Sequence, residues 1–146
     1  MPRIRLSEVV SFLPQQMYDL VVDVERYPQF LPWCVATRKY DVAEDRFMAE
    51  MVIAFHGLRE SFVTEDRIEP GRKVEVNLKS GPFQYLVSTW TFAPAAGERT
   101  RVDFFIDFRF KSALKEMAMG PVFTMASKQM LAAFKERAGK VYGSRG

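Results

Sequence analysis

For some 75 residues from Cys34 onward the chain alternates apolar and polar side chains with a period of two, and no helical stripe interrupts it. Successive side chains of a strand point to opposite faces, so a run of this kind builds a sheet with one dry face. Strands are predicted at 34–43, 46–56, 58–68, 73–80, 84–93 and 100–110. The turn signals between them are Glu44-Asp45, Gly57, Pro70-Gly71, Gly81-Pro82 and the stretch from Pro94 to Gly97. Links this short join antiparallel neighbours, so the six strands form a meander. The dry parity reads Phe47, Ala49, Met51, Ile53, Phe55 in one strand and Val102, Phe104, Ile106, Phe108, Phe110 in another, against Arg101, Asp103, Phe105, Asp107 and Arg109. One face of the sheet is therefore covered and the other largely wetted.

The flanks supply the cover. Residues 3–12 read as a seventh strand, with Ile4, Leu6, Val10 and Phe12 on one parity. Pro14 suits a first helical turn, and Met17, Leu20, Val21 and Val24 follow at helical spacing. That helix is expected to end before Pro28, with residues 27–33 forming a short helical turn or a shaped loop. After the last strand Ser112 can cap a helix, and Gly120-Pro121 is expected to kink or restart it. Beyond that point Phe123, Met130, Phe134, Ala138 and Val141 trace an inward stripe, while Lys128, Lys135, Glu136 and Lys140 remain in water.

This order describes an α+β protein: a curved antiparallel seven-stranded sheet wrapped around a long C-terminal helix, with short helices between strands 1 and 2. A single helix cannot fill the concavity of so wide a sheet. The remaining space is closed by side chains or left as a pocket, and small-molecule pockets commonly measure about 300–1,000 Å³. With 13 Phe and 8 Met in 146 residues, the chain has side chains suited to either outcome.

Composition bounds the function. At 48% apolar and 27% charged residues the chain reads as one folded domain over 1–146. Cys34 is the only cysteine and closes no intramolecular bridge, so a reducing cytoplasm is the expected setting. The sequence shows no signal-peptide pattern and no apolar stretch near the roughly 20 residues that cross a bilayer. A net charge of +3 is a mild surplus. Arg3, Arg5, Arg38, Lys39, Arg59, Arg67, Lys73 and Lys79 could offer RNA a basic face, diluted by Glu65 and Glu75, and no DNA partner is expected. Catalytic motifs are sparse. His56 is the only histidine, Cys34 has no evident base, and no Gly-rich phosphate loop is present. Glu60 and Asp66 remain as acid–base candidates. Glu60 shares parity with Phe62 and Thr64 and either points inward, needing a partner such as Arg59, or lies wet at the sheet rim.

The runs Gln16-Met17-Tyr18-Asp19-Leu20-Val21, Asp23-Val24-Glu25, Tyr27-Pro28 and Phe30-Leu31-Pro32-Trp33-Cys34 resemble the coenzyme Q-binding proteins of the START-type polyketide cyclase and lipid-transport superfamily. Further matches are Gly57-Leu58-Arg59-Glu60-Ser61-Phe62, Gly81-Pro82-Phe83, Trp90-Thr91-Phe92, Thr100-Arg101-Val102-Asp103-Phe104 and Phe108-Arg109-Phe110-Lys111-Ser112. The resemblance spans about residues 3–143 in order. Ala54 and His56 depart from it, standing where glycine and lysine are expected. It implies the helix-grip (START/Bet v 1-like) fold and a carrier that binds ubiquinone, or a related isoprenoid quinone, as ligand rather than as cofactor. A neighbouring branch of ribosome association toxins implies a different partner, the large ribosomal subunit, and the superfamily also holds cyclases and dehydratases.

For a carrier, the expected wall is Met51, Ile53, Phe55, Phe62, Trp90 and Phe108 from the sheet with Met117, Phe123 and Met130 from the helix, and Trp33 at the mouth. Each of these can equally be plain core. A carrier of this kind collects its cargo from a bilayer, so transient contact with the inner face of the plasma membrane is expected, through Tyr27 to Trp33.

Overall fold

The alternating segments become seven strands: β1 (Arg3–Val10), β2 (Cys34–Tyr40), β3 (Arg46–Phe55), β4 (Leu58–Glu69), β5 (Lys73–Ser80), β6 (Phe83–Ala95) and β7 (Arg99–Phe110). The computed structural model describes residues 3–55 and 57–143, so His56 lies outside the described residues. The strands form one antiparallel sheet in the order β1-β7-β6-β5-β4-β3-β2, so β1 adds to the far edge of the meander that runs from β2 to β7. The observed α+β arrangement is the helix-grip fold, with helices lying across the concave face of the curved sheet.

Three boundaries differ by two residues or more from the pattern-based expectation. β1 stops at Val10 rather than residue 12, although Phe12 stays buried and its carbonyl accepts a hydrogen bond from Thr100 Oγ1 at 2.6 Å. β2 stops at Tyr40 because Asp41 adopts φ 49°, a left-handed conformation that begins the turn. β6 runs on through Pro94 to Ala95, which lengthens the β6–β7 hairpin.

The first helical segment also divides earlier than expected. Helix α1 (Pro14–Val22) ends well before Pro28, and a 3₁₀ segment, Val24–Gln29, takes Pro28 into itself. Asp23 breaks the helix with ψ 62°, and the phenol of Tyr27 then donates to the Val21 carbonyl, folding the segment back under α1.

At the other end, Ser112 caps α2 (Ala113–Lys128), its Oγ accepting from the Lys115 amide at 3.2 Å. The expected break at Gly120-Pro121 is absent, and Pro121 sits inside α2. The interruption falls at Gln129, followed by α3 (Met130–Tyr142). Just before it, Ser127 Oγ donates back to the Phe123 carbonyl at 2.8 Å, a side-chain bond that bends helices. Leu131, Phe134 and Ala138 carry the inward stripe of α3, whereas Val141, assigned to that stripe, is exposed in the last turn.

Aromatic rings weld the layers together. Phe123 of α2 meets Phe108 edge-on at 4.6 Å and Phe83 at 5.4 Å between ring centres. Phe134 of α3 meets Trp90 at 5.0 Å and Tyr27 at 5.3 Å. Full burial of such a ring stabilises the fold by about 1.5–3 kcal/mol, and edge-to-face pairing adds about 0.5–1.5.

Candidate functional site

Between the concave sheet and the helices lies a cavity of about 90 Å³. Its wall follows the strand period. Residues 49 and 51 of β3, 62, 64 and 66 of β4, 86, 88 and 90 of β6, and 104 and 106 of β7 all point into it. Phe123, Ser127 and Met130 close it from the helical side, and Val24, Tyr27 and Trp33 from the 3₁₀ segment and the turn that follows.

Of the expected wall, Trp33, Met51, Phe62, Trp90, Phe123 and Met130 are brought together here. The other four stand elsewhere. Ile53 and Phe108 are fully buried in solid core. Phe55 backs Trp33 in a stacked pair with ring centres 6.0 Å apart and planes 15° apart. Met117 is 74% exposed, because six helical residues place it about 240° around α2 from Phe123. Trp33 is half-buried at the edge of the cavity and also meets Phe123 edge-on.

The space left between sheet and helices is small. A cavity of 90 Å³ is smaller than the roughly 150 Å³ that admits benzene in an engineered core, and far below ordinary ligand pockets. A quinone ring enters only if side chains or a helix move.

The polar part of the wall is Thr64, Asp66, Ser88 and Ser127. Apart from Asp66, considered only as a possible acid–base group, the pattern reading passed over them. The signal was available as a polar residue on a dry parity: Thr64 and Asp66 continue the phase of Phe62, Ser88 lies between Leu86 and Trp90, and Ser127 follows Phe123 by one helical turn. Asp66 is buried and accepts from Thr64 Oγ1 at 2.7 Å. Burial raises its carboxyl from the usual 3.8 to about 6, against the opposing pull of the Thr64 bond and of Lys39. Lys39 Nζ donates to the Val22 carbonyl at 2.9 Å and stands over the Phe47 ring. Burial, reinforced by the charge of Asp66, pushes the Tyr27 phenol well above its usual range. Burial pushes the Cys34 thiol up to about 12, so it is an inert small side chain.

Glu60 has a partner other than Arg59: Lys115 of α2, at 2.5 Å. Among the described residues no group of three or more His, Cys, Asp or Glu side chains is placed to hold a metal ion, and no helix is long and apolar enough to cross a membrane.

Within the segment expected to meet a membrane, Tyr27 and Leu31 are buried, Phe30 and Trp33 half-buried, and Pro28, Gln29 and Pro32 exposed, with Trp33 packed on Phe55. Exposed large apolar side chains include Leu114, Met117 and Met125 on the outer side of α2, besides others such as Val42 and Leu58 elsewhere on the surface.

A family model described as polyketide cyclase/dehydrase and lipid transport matches residues 10–135. The chain is 36% identical over 145 residues to the ribosome association toxin RatA of Escherichia coli, covering 99% of this chain and 92% of that protein. It is 33% identical over 141 residues to the mitochondrial coenzyme Q-binding protein COQ10 homolog B of Xenopus laevis, covering 94% of this chain and 58% of that one. The solution structure of the 18 kDa protein CC1736 from Caulobacter crescentus superposes with a TM-score of 0.76 at 36% identity, over 99% of this chain and all of that one.

Proposed function

The chain belongs to the polyketide cyclase/dehydrase and lipid transport family, and from that premise we propose that it binds ubiquinone or a related polyisoprenoid quinone between the sheet and α2, as a carrier and not as an enzyme. The observation that carries this reading is the apolar cavity with one buried carboxyl on its wall. Each methylene of an isoprenoid tail removed from water contributes about 0.8 kcal/mol, enough over several units to offset the widening of a small cavity.

Entry is by displacement of α2. The break at Gln129 separates it from α3, so it can move without unfolding its neighbour. Phe123 faces the cavity while Leu114, Met117 and Met125 face outward, with Lys111 just before the helix and Lys128 in its last turn. That charge suits an anionic bilayer, from which the cargo is collected.

Native mass spectrometry and organic extraction of protein purified from a quinone-producing host test the reading. Co-purification of a quinone is expected. No lipid recovered, together with no quenching of Trp33 or Trp90 on quinone titration, would refute it.

A second reading rests on a specific likeness, that to relatives named ribosome association toxins at 36% identity along nearly the whole chain. In that reading the chain binds the large ribosomal subunit. Co-sedimentation with large subunits that weakens steeply with salt would favour it, since release of condensed counterions makes RNA affinity salt-dependent.

A further inference from the structure

Every hydroxyl on the cavity wall already donates its proton to the protein. Tyr27 donates to the Val21 carbonyl, Thr64 to Asp66 Oδ1, Ser88 to the Phe105 carbonyl at 2.8 Å, and Ser127 to the Phe123 carbonyl at 2.8 Å. A hydroxyl has one proton and two lone pairs, and an ionised carboxylate accepts at about four lone-pair sites and donates at none. What the polar part of the wall offers an occupant is therefore acceptor capacity. The remaining donors on the wall are the indole N–H groups of Trp33 and Trp90, set among apolar side chains.

We infer that the cavity selects a ring that donates hydrogen bonds, the hydroquinone form of a quinone ligand over the oxidised form, with Asp66 as the residue that sets the preference. The inference rests on the quinone reading above and sharpens it. A hydroquinone brings two O–H donors to Asp66 and the hydroxyl oxygens. A quinone brings two carbonyl acceptors, which face the lone pairs of Asp66, Thr64, Ser88 and Ser127 with no proton between them. A buried acceptor left facing acceptors keeps its full desolvation penalty, and this is where the two forms separate.

Protonation of Asp66 reverses the chemistry, because a neutral carboxyl donates. The groups around it leave that change as the relevant one. On the flanking strands Phe47 and Val76 stand opposite Asp66 and carry no charge. Lys39 points its ammonium at the Val22 carbonyl, and Tyr27 and Cys34, both shifted upward by burial, stay neutral between pH 5 and 8. The oxidised ligand should therefore bind best in acid and weaken as Asp66 ionises.

The test is an anaerobic titration of the whole protein with a short-tailed ubiquinone and with its quinol, followed by tryptophan quenching at several pH values between 5 and 8. At pH 8 the quinol is expected to bind about tenfold more tightly, the size of one charge-assisted hydrogen bond. At pH 5 the gap should close to within about threefold, through a gain in quinone affinity. Asp66→Asn, which adds an amide donor, should bring the two affinities together at pH 8 by strengthening the quinone. Should that variant not fold, the wild-type pH series decides alone. Equal affinity of the two forms at pH 8, or a preference that does not change with pH, overturns the inference while leaving the quinone reading standing. Binding of neither form at any pH overturns both.

Discussion

The carboxylate of Glu60 on β4 meets the ammonium of Lys115 on α2 at 2.5 Å, an ion pair that clips the start of the helix to the sheet beside the cavity. Lys115 is 45% exposed and Glu60 21%, so water screens the pair and its removal should cost less than about 1 kcal/mol. Its influence falls on motion. Lys115→Gln should leave the urea midpoint nearly unchanged while raising the rate of ligand entry several-fold in stopped-flow fluorescence. An unaltered entry rate would place the moving part elsewhere.

Asp66 makes stability depend on pH with a sign opposite to that of a salt-bridged carboxylate. Its folded-state value near 6 lies above the usual 3.8, so the folded protein holds this proton more firmly than the unfolded chain. The stabilisation is complete below about pH 4 and is lost as pH rises to about 6, amounting to about 3 kcal/mol. Asp66→Asn should abolish this slope and stabilise the protein at pH 7. Urea denaturation of both proteins at pH 4, 5, 6 and 7 checks it through the difference between their stabilities.

Gly81, in the turn between β5 and β6, has φ 141°, and a Cβ there would stand 2.5 Å from the Cβ of Phe62 on the cavity wall. An alanine must push β4 away or adopt a conformation that L-residues avoid. Gly81→Ala is expected to destabilise by about 1–3 kcal/mol, read from the thermal or urea midpoint. It should also loosen Phe62 and with it the cavity.

Leu114 and Met117 lie on the outer side of α2 and make no contribution to the buried core. Replacing both by Asp should therefore preserve folding while abolishing flotation with vesicles that contain anionic lipid. Trp33→Ala should leave flotation intact and lower stability, because it removes a ring stacked on Phe55.

What could be read in advance followed the strength of each local signal. The parity of Val102, Phe104, Ile106, Phe108 and Phe110 identifies the dry face of β7, and all five are buried. Parity does not separate cavity wall from solid core, since Ile106 lines the cavity while Phe108 is packed shut. That distinction depends on where α2 crosses the sheet. Apolar content misleads on α2 itself, where both sides carry apolar residues: helical spacing from Phe123 puts Met119, four residues earlier, on the inner side and Met117 on the outer, and Met117 suits the wall only by its residue type. The helix break shows the same limit. Gly120-Pro121 is a strong local breaker, yet packing holds α2 through it, and the interruption comes beside the back-bonded Ser127. Asp66 was visible only as an acid on a dry parity, and its partner Thr64 and its burial gave it meaning.

The decisive relation for a carrier is between cavity volume and binding, and Ala49 allows it to be varied without a new polar group. Ala49 lines the cavity from β3, is buried, and pairs across the strand with Thr64. Ala49→Val adds two methyl groups directed at the 90 Å³ space, and valine suits a strand better than alanine. Filling existing space restores dispersion contacts that the wall lacks, so stability should hold or rise by up to about 1 kcal/mol. A ligand ring seated against β3 and β4 would lose that same space, and its affinity should fall by about 5- to 150-fold, the cost of overpacking by about 1–3 kcal/mol. Urea denaturation and quinone titration of one preparation measure the two together. Unchanged affinity at unchanged stability would mean that the ligand sits away from this wall, and would direct attention to the outer face of α2.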